Sequence, residues 1–270
     1  MNVLFIGGGN MAAAIIGGLV AKGWPPSALH AVDVLPDALS RLERQFGIGT
    51  SADATAAATN AECIVLAVKP QQMREVAAAL APALSGQLII SIAAGIRSGD
   101  LARWLGPRAH VVRAMPNTPA LVAAGITGLY AMPGVSSAQR ARAESILAAV
   151  GATFWVEQES GLDAVTAVSG SGPAYVFYFI EALEQAAREL GLPPEIARQS
   201  ALATFAGAVK LAAASDDDPA TLRSRVTSKG GTTERAISVL DAAAVKAAFV
   251  RAVRAAANRA AEMGGDLGKD

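Results

Sequence analysis

The stretch Val3-Leu4-Phe5-Ile6-Gly7-Gly8-Gly9-Asn10-Met11-Ala12 constrains this chain more than any other. Four apolar residues run straight into a glycine cluster, and Ala13, Ala14, Ile15, Ile16, Leu19 and Val20 continue at helical spacing. A strand that turns on glycines directly into a helix is the context in which such a pattern signifies dinucleotide binding. Gly7 permits the tight turn, and Gly9 lets the backbone approach a pyrophosphate. Ala12, where a third glycine often sits, keeps the helix close to the strand. The free N–H groups and the positive end of that helix then face the phosphates. The competing reading is a glycine turn that merely reverses the chain; the flanking strand and helix favour the dinucleotide.

Beyond this helix, Trp24-Pro25-Pro26 breaks the chain and residues 29–32 read as a second strand ending at Asp33. An acid at about this distance from the glycines accepts hydrogen bonds from an adenosine ribose. The alternative is an acid preceding the helix that Pro36 opens. Facing the ribose, Asp33 disfavours a 2′-phosphate, and Val34 and Leu35 offer no arginine to receive one, which leans toward NADH.

Strands are expected at 63–68, 88–92, 111–114, 126–130 and 153–156, with helices at 73–81, 98–105 and 138–150. This alternation implies a parallel, doubly wound sheet, whose ligands sit beyond the carboxyl ends of the strands. Three loops fall there: Ala67-Val68-Lys69-Pro70, Ala93-Ala94-Gly95 and Met115-Pro116-Asn117-Thr118-Pro119. Lys69 is either a surface lysine or a contact to phosphate or ribose. Asn117, between two prolines, is either a ligand contact or plain turn chemistry.

From residue 159 the alternation stops and the rest reads as helix, which divides the chain into domains 1–158 and 159–270. In a helix over 174–190, Val176, Phe179, Ile180, Leu183, Ala187 and Leu190 repeat as a core face. Residues 175–180 are also apolar without a break, more than a small helical domain can bury alone, which points to a subunit interface. Helices follow at 195–214, 232–240 and 245–263. Asp216-Asp217-Asp218-Pro219 reads as a turn with a helix cap, and the chain is expected to fray from Gly264.

Composition removes whole classes of function. Apolar residues make up 52% and charged residues 17%, which excludes a disordered chain. Lys+Arg and Asp+Glu balance at 23 each, which argues against a nucleic-acid or membrane-surface binder. No window is long and apolar enough to cross a bilayer, and the N-terminus reads as a first strand instead of a leader peptide. The single Cys63 reads as a small buried residue. It gives no disulfide framework and no zinc pattern, which fits a reducing, cytoplasmic setting.

A second constellation is Thr227-Ser228-Lys229-Gly230-Gly231-Thr232-Thr233. Paired glycines free backbone N–H groups, the next helix opens on two hydroxyls, and Arg223, Arg225 and Lys229 add positive charge. Such a helix entrance suits a carboxylate, and an ordinary capped helix after a Gly-Gly turn is the alternative.

With both constellations in view the chain resembles the pyrroline-5-carboxylate reductase family over essentially its whole length. The carriers are Ile6 to Ala12, Ala67-Val68-Lys69-Pro70, Ala93-Ala94-Gly95, Met115 to Pro119, Ser169-Gly170-Ser171-Gly172-Pro173-Ala174-Tyr175, and Val226 to Thr233 running on to Asp241. The resemblance implies a Rossmann-like domain followed by an all-helical domain that interlocks two subunits as a homodimer, often within a larger ring of dimers. It implies that NADPH or NADH is held by Gly7, Gly9, Asn10, Met11, Asp33, Val68, Lys69, Pro70, Ala94 and Asn117. The substrate, a small cyclic imine carboxylate, would be held by Gly230, Gly231, Thr232 and Thr233, with Thr233 bonded to the ring nitrogen and Glu159 near the ring. Ala54 departs from the asparagine common in relatives, and the segment after Asp33 lacks the polar or basic partner of NADPH-preferring members. Both departures leave the nicotinamide preference open.

A protonated cyclic imine is already an electrophile, so this chemistry calls for no metal and no covalent nucleophile. His30 and His110 then read as structural, and Thr233 as an orienting donor, since a threonine hydroxyl is a poor acid. Two other readings compete. A 3-hydroxyacid dehydrogenase would need a lysine, for which Lys210 and Lys246 are candidates, and a nonenzymatic dinucleotide-sensing module would make the Gly230 turn mere capping.

Overall fold

A computed structural model describes residues 1–269. Its sheet has eight strands: β1 (Val3–Ile6), β2 (Leu29–Val32), β3 (Gly49–Ser51), β4 (Cys63–Leu66), β5 (Leu88–Ser91), β6 (His110–Met115), β7 (Gly125–Ala131) and β8 (Gly151–Trp155). They lie in the order β3-β2-β1-β4-β5-β6-β7-β8, so the order reverses between β1 and β4. The sheet is Rossmann-like and doubly wound. All of β1 is buried, and its side chains alternate between two cores as a strand's period of two requires. Val3 and Phe5 join Ile15, Leu19 and Ile146 on one face. Leu4 and Ile6 join Ile64, Met73 and Leu101 on the other.

The connecting helices are α1 (Asn10–Ala21), α2 (Pro36–Phe46), α3 (Ala54–Ala58), α4 (Met73–Leu80), α5 (Ser98–Leu105) and α6 (Ser137–Leu147). The sheet departs from the all-parallel expectation at one place, because β7 runs antiparallel to β6. Only residues 116–124 join these strands, too few for the helical crossover that a parallel pair needs. β8 then returns parallel to β7.

After β8 the chain is helical: α7 (Gly161–Val165), a π-helical turn at Thr166–Gly170, α8 (Gly172–Glu189), α9 (Pro194–Ala213), α10 (Pro219–Arg225), α11 (Thr232–Ala242) and α12 (Val245–Asp266). Packing divides the chain into one unit of Met1–Ser171 with residues from Ala256 onward, and a second unit of Gly172–Ala255. Within the first unit Gly170 packs on the tip of Met115, and Gly128 lies so close to the Val165 methyl groups that a Cβ there would crowd them.

Two expectations for the helices are corrected. The apolar repeat of α8 is not a core within the chain: no residue of α8, α10 or α11 is buried, and α9 buries only Ala197 and Ala201. Phe177 is 65%, Tyr178 68% and Leu190 85% exposed. The chain end does not fray at Gly264 either. α12 runs on to Asp266, Gly264 is buried against Arg97 where a Cβ would collide with the guanidinium, and Leu267 packs on the core beneath β4 and β5. The cap expected at Asp218 is present: its carboxylate accepts from Thr221 N–H at 2.8 Å and opens α10.

Candidate active site

The pairing register sets Ile6 level with Val32 and Leu66, Leu66 with Ser91, and Ser91 with Arg113. The loops after β1, β2, β4, β5 and β6 therefore leave the sheet at one edge, where a doubly wound fold binds ligands. Gly7 has φ +103°, and a Cβ there would stand 2.7 Å from the Ala67 carbonyl oxygen. The first glycine is thus required both by its backbone and by its neighbour, and it brings the Ala67-Val68-Lys69-Pro70 loop against the glycine turn. Gly7 N–H also donates to Val32 O at 2.7 Å.

Gly9 stands in extended backbone before α1, and no side chain among the described residues caps that helix. A Cβ on Gly9 would meet nothing within 4 Å. Uncapped N–H groups, open space and the exposed Asn10 beside the partly buried Met11 form a cradle that fits a pyrophosphate.

Asp33 closes the same turn. Its carboxylate accepts from Gly8 N–H at 2.6 Å and from Leu35 N–H at 2.9 Å. It does not cap α2, whose preceding residue is Leu35. Arg41, on the second turn of α2, donates to the Gly8 carbonyl at 2.8 Å, so one glycine is held between a carboxylate and a guanidinium. Val34 and Leu35 carry no cation, and the helical repeat of α2 brings this one back to the loop.

Lys69 is exposed ahead of a short 3₁₀ turn at Pro70–Gln72. Ala94 is half-buried beside Gly95, whose φ is +74°. Asn117 is buried and does not cap the turn that follows it. Its amide donates to Ser169 O at 3.1 Å and its oxygen accepts from Ile126 N–H at 2.9 Å. The side chain thereby ties the loop after β6 to β7 and to the π-helical turn.

Glu159 accepts from Arg113 Nη1 at 2.6 Å, from Ser98 N–H at 2.6 Å and from Ser98 Oγ at 2.9 Å. Burial alone would raise this carboxyl, but the bonds from Ser98 and Arg113 outweigh it and hold the group below the ordinary carboxylate value. Burial lowers Arg113, and Glu159 opposes that shift. Arg113 escaped the sequence reading. Its signal was a lone arginine among Val111, Val112 and Ala114, a charge that a buried strand tolerates only with a partner.

His30 is bonded to Ser51 Oγ at 2.9 Å, and burial lowers its pKa. Cys63 is fully buried, which drives its thiol far above the usual range and fits the reading of a small core residue.

In the helical unit, Gly230 has φ +75° and Gly231 precedes α11 without a side-chain cap. Gly231 N–H closes the turn onto Ser228 O at 3.0 Å, and a Cβ on Gly231 would press on Ser228 Oγ. Gly230 N–H donates to the Glu234 carboxylate at 2.7 Å, so the turn offers an outward donor and a carboxylate takes it. Thr233 is half-buried on the first turn and Thr232 is exposed. Lys210 and Lys246 are exposed on α9 and α12.

A glycine-opened helix at the carboxyl edge of a parallel sheet, with an acid at the end of the second strand, defines the dinucleotide-binding class of α/β proteins. A family model described as NADP oxidoreductase, coenzyme F420-dependent, matches residues 2–95. One described as pyrroline-5-carboxylate reductase dimerisation matches residues 159–263. The chain is 47% identical to the pyrroline-5-carboxylate reductase of Pseudomonas aeruginosa, over 99% of this chain and 98% of that one. A solved pyrroline-5-carboxylate reductase from Coxiella burnetii is 43% identical with a TM-score of 0.92, covering 97% and 98% of the two chains. The Plasmodium falciparum pyrroline carboxylate reductase, solved with NADP bound, is 29% identical with a TM-score of 0.88 over 98% of each chain.

The chain belongs to the pyrroline-5-carboxylate reductase family. It carries that family's dimerisation domain and is a homo-oligomer. Among the described residues no helix is long and apolar enough to cross a membrane.

Proposed function

We propose that this chain reduces 1-pyrroline-5-carboxylate to L-proline with NADPH or NADH, the final step of proline biosynthesis. The observation that carries the reading is kinship at 47% identity across nearly the whole chain. The uncapped glycine entrance of α1 supports it independently.

The reduced nicotinamide, when bound, supplies the hydride that goes to the imine carbon. Everything else the chain does is binding and orientation. Gly7, Gly9, Asn10 and Met11 cradle the pyrophosphate, Asp33 receives the ribose, and Val68, Lys69, Pro70, Ala94 and Asn117 line the remainder. Gly230, Gly231 and Thr232 receive the substrate carboxylate, whose arrival displaces Glu234 from the Gly230 N–H. Thr233 donates to the ring nitrogen and fixes the ring. The boundary between residues 158 and 159 separates dinucleotide binding from substrate binding and dimerisation. Homodimers assemble further into a ring, and the protein works in the cytoplasm, for which its single buried thiol speaks.

The test mixes the protein with chemically made pyrroline-5-carboxylate and either reduced nicotinamide and follows loss of nicotinamide absorbance. Proline-forming turnover is expected, and none with either cofactor would reject the reading. Thr233→Ala should lower kcat/KM for the imine roughly ten- to a hundredfold, the value of a hydrogen bond to a charged partner. NAD(P)H affinity should stay near wild type, and an unchanged kcat/KM would remove Thr233 from the site.

A further inference from the structure

Among the described residues Arg113 is the one charged residue that is buried, at 5% exposure. A buried guanidinium survives only when its partner is complete, and the partner here is the Glu159 carboxylate at 2.6 Å. That carboxylate is also spent elsewhere. Both of its oxygens accept from Ser98, through the N–H at 2.6 Å and the hydroxyl at 2.9 Å.

Ser98 is the first residue of α5, and Arg97 before it provides no side-chain cap. Glu159 therefore caps α5 from 61 residues away. Arg97 is fixed in turn by Asp163 at 2.8 Å and by the close approach of Gly264. The chain between β5 and α5 is the Ala93-Ala94-Gly95 turn, whose Gly95 is pressed by Met263 and Leu267. It is anchored at one end by the strand pairing of Ser91 with Arg113 and at the other by Glu159.

We propose that Arg113, Glu159 and Ser98 are positioning residues for the Ala93-Ala94-Gly95 turn, so that Glu159 governs dinucleotide binding through that turn and does not touch the imine. This rests on the reductase reading, and it replaces the role that kinship alone suggests for Glu159. Three of the carboxylate's roughly four acceptor sites are already taken by Ser98 and Arg113, and a helix entrance that loses its cap shifts the turn leading into it.

The test uses the full-length protein and two separate readouts. Binding of NADPH and of NADH is titrated without imine, and steady-state KM is then measured for each substrate. Glu159→Gln and Ser98→Ala should each weaken dinucleotide binding by roughly tenfold, the value of a charge-assisted bond, while KM for the imine stays within about twofold. Ser98→Thr, which keeps the hydroxyl, should restore binding. The double variant Arg113→Met with Glu159→Gln should bind no more weakly than the poorer single variant, because the residues act as one unit. If Arg113→Met does not fold, Ser98→Ala and its threonine rescue decide the matter alone. A raised imine KM with unchanged dinucleotide affinity would overturn the proposal, as would unchanged values of both. Failure of the reductase reading would appear differently, as absent turnover in the wild type whatever the binding titration gives.

Discussion

The two packing units differ most in what they bury. In the first unit Phe5, Ile15, Leu19, Ile64, Leu66 and Met73 are all sealed from solvent. In the second, Val176, Phe177, Tyr178, Leu183, Val209, Leu211, Val239 and Phe249 are exposed in the single chain. Both carry strong apolar periodicity, so pattern alone does not say who covers a face. A sheet flanked by helices on both sides closes its own core. A run of helices with almost nothing buried needs more apolar surface than its own residues supply, and the dimerisation family match names the second copy as the source.

The largest predicted effect breaks that difference directly. Phe177→Glu places a charge on the exposed face of α8 and should weaken assembly by about a hundredfold or more, as loss of a central aromatic anchor does. Sedimentation equilibrium measures it, and reductase activity should fall with assembly. Dinucleotide binding, which belongs to the self-sufficient unit, should survive. A variant that stays assembled would mean that another face of the helices is covered.

A smaller effect probes the other side of the comparison. Gly7→Ala forces a side chain into φ +103° and toward the Ala67 carbonyl. Left-handed strain and overpacking together should destabilise the first unit by about 3 kcal/mol. A lowered thermal midpoint and a weakened NAD(P)H titration are expected, with assembly unaffected. Wild-type values for both would remove Gly7 from the turn's requirements.

The contrast also explains what could be read along the chain. The glycine turn, the buried strands, the Asp218 cap and the Gly230 turn are local, since each needs only neighbours within one strand or one helical turn. Arg113, Ser98 and Glu159 share no local pattern, because Glu159 lies 61 residues from Ser98 and 46 from Arg113. Arg41 is nearer in sequence, yet only the curl of α2 brings it to Gly8. Gly264 looked like a chain end beginning to loosen, while the missing Cβ in fact admits Arg97. The antiparallel β7 was hidden because its strand pattern is identical in either direction. Connection length was the available signal, and residues 116–124 are too short for a crossover.

The smallest effect compares a half-buried carboxylate with an exposed one. Glu159 in the first unit and Asp218 in the second both have folded pKa values below their ordinary ones. A depressed carboxyl contributes stability that is fully present above its unfolded value and is lost as pH falls through the folded one, because the unfolded chain then binds more protons. For both groups that loss sets in as pH falls through the ordinary carboxylate range and is complete only below it. Protonating Glu159 leaves Arg113 buried beside a neutral partner, whereas protonating Asp218 weakens one solvent-washed cap that salt already screens. The wild type should therefore lose stability on the acid side more steeply than Glu159→Gln, and the gap between the two should narrow as pH falls. Asp218→Asn should run nearly parallel to wild type. Denaturant midpoints at several pH values measure all three, and an acid limb equally steep in Glu159→Gln would place the titrating charge elsewhere in the chain.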